Sequence, residues 1–211
     1  MNVKICGVKT TEVAQAVVDS GATHIGFIFF PKSPRNITPA KAAEIANSIK
    51  GKIKTVIVTV DAADELLNEI TSLFKPDYIQ LHGSETPERV QEIKNRYGIA
   101  TIKVISVKTA EDLQQAASYK DIADHIMFDA KPNADSKLPG GNAISFDWNI
   151  LSDFKPGYEY ILSGGLTPDN VQEALKITGT SFVDISSGVE SSPGNKDISK
   201  IKRFVDNANH K

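Results

Sequence analysis

The chain has 211 residues, 40% of them hydrophobic, and carries 24 Lys and Arg against 26 Asp and Glu for a formal charge of -2 at pH 7. That length builds a closed core without disulfide staples, and the near-neutral balance lacks the basic excess of a nucleic-acid-binding surface. A single cysteine rules out an intramolecular disulfide and suits a reducing, cytoplasmic setting, and no apolar run approaches the roughly 20 residues that cross a bilayer.

Short β-branched runs alternate with longer stretches of helical period along the chain. In order, strands are predicted at 3–5, 24–28, 54–59, 78–80, 101–105, 125–128, 159–162 and 181–183. Helices are predicted over 11–19, 39–49, 61–74, 109–119 and 197–208, with a short one over 147–151. Thr38-Pro39, Thr86-Pro87-Glu88 and Thr167-Pro168-Asp169 read as helix starts, each with a hydroxyl cap and a proline in the first turn. The stretch 129–145, with Pro132, Pro139, Gly140 and Gly141, lacks periodicity and reads as a long loop on the active face. Composition does not shift on either side of it, so residues 1–211 are expected to form one domain.

Eight strand-helix units can close into a parallel (β/α)8 TIM barrel, and an open doubly wound sheet also fits the pattern. Closure would gather the C-terminal end of every strand around one mouth. The residues just beyond the predicted strands are Cys6, the 29–35 loop, Asp61, His82, Ser106, Asp129, Ser163-Gly164-Gly165 and the 184–188 segment. His24 and His125 begin their strands and belong to the opposite end. Phe27, Phe29 and Phe30 read as core and as apolar lining of the mouth.

Each mouth residue supports two readings. Cys6 is a proton-abstracting thiolate in a locally positive field or a small buried hydrophobe. Asp129, following the apolar Ile126-Met127-Phe128, is a desolvated general acid or a loop cap. Strands one and six are expected to face each other across the ring, so a small sugar between Cys6 and Asp129 would be protonated on one side and deprotonated on the other. Arg35, closing the segment Pro31-Lys32-Ser33-Pro34-Arg35 that two prolines stiffen, is a fork for a carboxylate or a solvated arginine. His82 shapes the pocket or is structural, and Asp184 can accept hydrogen bonds from sugar hydroxyls or an amine. Gly164 and Gly165, with Ser186, Ser187 and Gly188, are either turns or a phosphate cradle after strands seven and eight. No Walker loop, dinucleotide fingerprint or zinc-ligand spacing is present.

Taken in order, KICG at 4–7, GFIFFPKSPR at 26–35, QLHG at 80–83, FD at 128–129, FDW at 146–148, SGGL at 163–166 and DISSGVESSPGNKD at 184–197 resemble the phosphoribosylanthranilate isomerase family of tryptophan biosynthesis. The resemblance implies a single-domain (β/α)8 barrel that performs an Amadori rearrangement of N-(5-phosphoribosyl)anthranilate without cofactor or metal. It implies Cys6 as general base and Asp129 as general acid, with Arg35 on the anthranilate carboxylate. Asp184 falls to the substrate's amine or sugar, His82 counts with it as substrate-binding, and the Gly165 and Ser186–Gly188 regions, with Gly164, Ser187 and Gly188, fall to its phosphate. The implied partner is a phosphorylated aromatic amino-sugar, with no nucleic acid or membrane; the sequence leaves the oligomeric state open, a monomer being favoured. Two departures stand out: Gly140-Gly141-Asn142-Ala143 replaces the family's usual Gly-Gly-Thr-Gly, and Ser163 stands where alanine is common. Other phosphosugar barrels are the rival enzymes, since ribulose-phosphate epimerase and indole-glycerol-phosphate synthase use metal-associated or lysine-glutamate sets that this rim lacks. A non-catalytic phosphometabolite-binding barrel is the rival of another class.

Overall fold

The computed structural model describes residues 1–131 and 145–210. The expected loop residues Pro132, Pro139, Gly140, Gly141, Asn142 and Ala143 lie outside the described residues. Eight parallel strands pair in sequence order and close on themselves: β1 (Asn2–Cys6), β2 (His24–Phe29), β3 (Lys54–Thr59), β4 (Tyr78–Leu81), β5 (Ala100–Val107), β6 (His125–Ala130), β7 (Tyr160–Leu162) and β8 (Phe182–Ile185). Pairing of β1 with both β2 and β8 decides against the open sheet. Among the described residues six α-helices follow strands of the barrel: α1 (Thr11–Asp19), α2 (Pro39–Ser48), α3 (Asp64–Leu73), α4 (Pro87–Tyr97), α5 (Val171–Thr178) and α6 (Ile198–Asn209).

The predicted caps form where a hydroxyl precedes proline. Thr38 accepts from the Lys41 amide at 3.2 Å and Thr86 from the Arg89 amide at 3.3 Å, each contact worth about 1 kcal/mol. Thr167 instead closes a turn by accepting from the Asp169 and Asn170 amides, and α5 begins only at Val171. The predicted 109–119 helix is a 3-10 helix over Ala110–Ser118. Its buried residues Leu113 and Ala116 are three apart, a spacing that the tighter helix stacks on one line. An antiparallel hairpin, β9 (Glu190–Ser192) with β10 (Asn195–Lys196), follows β8 and was not legible in the sequence.

Strand alternation divides the apolar residues into two cores. Val3, Ile5, Ile25, Phe27, Ile57, Ile79, Phe128 and Val183 face outward and pack against the helices. Cys6, Val56, Val58, Ile102, Val104, Met127, Ile161 and Phe182 fill the barrel interior. Phe27 and Phe29 belong to the outer core, Phe27 edge-on to Phe74 at 6.3 Å, so this pair packs beneath the helices and does not line the mouth as expected. At the N-terminal ends of the even strands, His24, Tyr78, His125 and Phe182 touch in a closed ring with centroid separations of 4.7 to 5.9 Å. Side chains from alternate strands at one level are the layered packing of an eight-stranded barrel.

Candidate active site

Cys6 is the last residue of β1 and Asp129 the penultimate residue of β6, so both stand at the C-terminal mouth. They are 4% and 5% exposed. Ring order corrects one expectation: β5 is the strand opposite β1, and β6 lies three steps from β1 by way of β8 and β7. The two groups therefore approach the mouth from flanking sides, at less than a full diameter.

Asp129 Oδ1 accepts from the Ala130 amide at 2.8 Å, which fixes the carboxyl without a charged bond. Its Oδ2 lies 3.3 Å from His82 Nε2, but the geometry is not that of a hydrogen bond, and Nε2 is buried without a hydrogen-bond partner. Gln80, two residues before His82, likewise leaves Oε1 unpaired. Buried polar atoms left unmatched cost about 1–3 kcal/mol each, a penalty that a polar ligand in the mouth would relieve.

The His82 loop is braced from behind. Lys103 Nζ pairs with Glu85 at 2.7 Å and donates to the Gly83 carbonyl at 2.7 Å, while Glu85 accepts from the Gly83 and Asp61 amides. Gly83 presses on Asp61 so closely that no side chain fits there. Asp61 is spent on this loop, bonding the Ser84 amide at 2.7 Å.

On β8, Asp184 pairs with Lys4 at 2.8 Å and accepts from Ser163 Oγ at 3.2 Å. The lysine is fully buried inside the barrel, yet the carboxylate beside it and the nearby thiol outweigh the burial and hold its pKa above the ordinary value. Burial dominates at Cys6 and pushes its pKa up, with Lys4 pulling the other way.

Arg35 is only 3% exposed, which removes the solvated reading. Its Nε and Nη2 grip the two oxygens of Glu190 at 2.8 and 2.9 Å. Lys196 joins the same carboxylate at 2.8 Å and donates to the Ser186 carbonyl at 2.8 Å. Burial would raise the pKa of Glu190, but the two cations overcome it and hold the carboxyl down at about 2. Arg35 and Lys196 thus converge on one buried carboxylate.

The glycines of the two terminal loops are explained by contact. A Cβ on Gly164, which sits at φ +88°, would come within 2.5 Å of the Ala130 amide. One on Gly188 would collide with the Leu166 carbonyl. The loop after β7 is thus wedged between Asp129 and the loop after β8, and Ser186 Oγ ties the latter to the Cys6 carbonyl at 3.1 Å. Gly165, Ser187 and Gly188 sit on the same pair of loops, with Ser187–Val189 forming a single 3-10 turn. Among the described residues, no three His, Cys, Asp or Glu side chains gather as a metal site would require. No described helix is long and apolar enough to cross a membrane.

Lys4, Gly26, Glu190 and Lys196 also belong to this region and were not singled out in the sequence. Lys4 was detectable, since it lies two residues before Cys6 on one strand face. Glu190 and Lys196 lie in the 184–197 stretch that carries the resemblance, but the hairpin that turns them toward Arg35 has no local signature, so no role was assigned to them.

Residues 3–207 match the family model described as N-(5'phosphoribosyl)anthranilate (PRA) isomerase. An N-(5'-phosphoribosyl)anthranilate isomerase of Brucella canis is 54% identical over 204 residues, covering 97% of this chain and 92% of that protein. The phosphoribosyl anthranilate isomerase of Thermotoga maritima superposes with a TM-score of 0.88 at 35% identity, covering 99% of this chain and 98% of that one. A phosphoribosyl anthranilate isomerase solved in complex with reduced 1-(o-carboxyphenylamino)-1-deoxyribulose 5-phosphate gives 0.86 at 34% identity, covering 99% and 98%. With the likeness running through all eight strands and the mouth they share, the chain belongs to the N-(5'-phosphoribosyl)anthranilate isomerase family of enzymes.

Proposed function

We propose that this chain, acting as one barrel domain, converts N-(5-phosphoribosyl)anthranilate to 1-(2-carboxyphenylamino)-1-deoxyribulose 5-phosphate, with Asp129 as general acid and Cys6 as general base. The observation that carries the reading is the burial of one thiol and one carboxyl on flanking strands of a single mouth, in a chain of this family. The acid protonates the furanose ring oxygen as the C1–O bond opens, and the anilino nitrogen supplies its electron pair to form a Schiff base. The thiolate then takes the C2 proton, giving an enolamine that tautomerises to the ketose. Each step passes a proton between the substrate and Asp129 or Cys6 or shifts an electron pair within the substrate, so the chemistry calls for no metal, nucleotide or redox group.

Recognition divides among the remaining groups. Arg35, oriented by Glu190, meets the anthranilate carboxylate, a bidentate geometry that a fixed guanidinium suits. Asp184 and His82 contact the sugar and the amine. Gly164, Gly165, Ser186, Ser187 and Gly188 cradle the phosphate at the position after strands seven and eight where barrels of this kind bind it. These remote contacts align C2 with the base, so their loss lowers turnover as well as affinity.

The test is conversion by the purified protein without added metal or nucleotide, with the product identified chemically. Formation of the rearranged ketose is expected. Binding of the substrate without that product would overturn the reading in favour of a non-catalytic phosphometabolite barrel.

A further inference from the structure

Lys4 is fully buried, and the reaction derived above gives its charge no task. It lies two residues before Cys6 on β1, so strand alternation places both side chains on the inner face. Asp184 is its register partner on β8 and holds the ammonium at 2.8 Å. Ser163 engages the other oxygen of that carboxylate at 3.2 Å, so the orientation toward Lys4 is fixed. On the other side, Cys6 is the register partner of Gly26 on β2. A Cβ on Gly26 would stand 2.9 Å from Cys6 Sγ and 3.1 Å from Lys4 Nζ. The absent side chain leaves one notch on which thiol and ammonium converge, inside the roughly 4–6 Å over which an opposite charge favours an ionised group.

A base at this depth needs such a neighbour. Burial is the strongest influence on the thiol and raises its pKa; Lys4 is the leading opposing influence, followed by Asp184 raising it and Lys196 lowering it. The charged groups facing the thiol are thus Lys4 from β1, Asp184 from β8 and Lys196 from β10. Behind Lys196 stand Glu190 and Arg35, while Asp129 and His82 face the same mouth from β6 and the β4–α4 loop.

We infer that Lys4 is a positioning residue for the Cys6 base: its ammonium, held by Asp184 against the Gly26 notch, supports the thiolate at neutral pH. The catalytic consequence rests on the assignment of Cys6 as base, whereas the coupling of thiol and ammonium is measurable without turnover.

With one cysteine in the chain, ultraviolet thiolate absorbance reports Cys6 alone once the Cys6→Ala protein is subtracted as a blank. Lys4→Met should raise the pH of half-ionisation by about one unit, which lowers the thiolate fraction at neutral pH about tenfold. The acid limb of kcat/KM should move up by the same amount. Lys4→Met also strands the Asp184 carboxylate, so the titration is repeated in Lys4→Met/Asp184→Asn, where a rise is again expected. Gly26→Ala retains both charges but drives a methyl between them, and it should raise the thiol titration even if the lysine variants fail to fold. An unchanged titration in the folded variants overturns the inference. Near-normal turnover by Cys6→Ala would overturn the base assignment instead, while a shifted titration would leave the coupling of Lys4 to Cys6 standing.

Discussion

The two ends of the barrel are filled by the same strand alternation and do opposite things. At the N-terminal end, His24, Tyr78, His125 and Phe182 close the bore with rings. The His24 imidazole is held neutral there, since burial, Lys4 and His125 bring its pKa down to about 4. At the C-terminal end, the inward positions carry Cys6, Asp129, Ser163 and Asp184, and His82 Nε2 lies buried and unpaired beside them. The floor is satisfied by its own contacts. The mouth is stable only because the rest of the barrel is, and its polar groups are arranged for something that is not part of the chain.

Substitutions at the two ends should therefore separate turnover from stability. Cys6→Ala and Asp129→Asn break the mouth: each should lower kcat by about a hundred- to ten-thousandfold, the range for a lost general acid or base. Thermal unfolding should shift little, which a melting curve alongside steady-state kinetics checks. Phe182→Ala breaks the floor and should cost about 3–5 kcal/mol of stability in denaturant titration. The folded fraction should retain turnover within a fewfold of the parent. A large kcat loss from Phe182→Ala without destabilisation would erase the distinction between the ends.

Acid should sharpen the same contrast. Glu190 has a folded pKa near 2, below its ordinary value of 4.5, so its contribution is fully present above about pH 4.5 and is lost as pH falls toward 2. Glu190→Gln should flatten that part of the stability profile, by about 2 kcal/mol after allowance for solvent near the rim. His24 also has a depressed pKa, so its contribution is present above its ordinary value of 6.5 and is lost between there and about 4. His24→Phe should remove that step, a smaller effect that a comparison of melting temperatures across this interval would detect.

Strand positions were largely legible because parallel barrel strands are buried on both faces and read as short β-branched runs, as in 54–59 and 125–128. The caps at Thr38 and Thr86 were legible because a hydroxyl before proline suits a helix start, although the same pair at Thr167 closes a turn ahead of the helix. The mouth residues Cys6, Asp129 and Asp184 were found by reading just past each strand, which topology alone justifies. What escaped depended on distant partners. Glu190 became visible only through Arg35, 155 positions away, and through a hairpin of three and two residues whose sequence is unremarkable for a loop. The placement of Phe27 and Phe29 turned on strand parity, which a run of apolar residues on both faces conceals.

The account depends most on Cys6 and Asp129 acting on one ribose from different sides. A crystal structure of this chain with reduced 1-(o-carboxyphenylamino)-1-deoxyribulose 5-phosphate tests that directly. The account predicts Cys6 Sγ facing C2 and the Asp129 carboxyl within hydrogen-bonding reach, about 2.6–3.2 Å, of the hydroxyl derived from the ring oxygen. A ligand seated in the mouth with either group turned away from its ribose would contradict it.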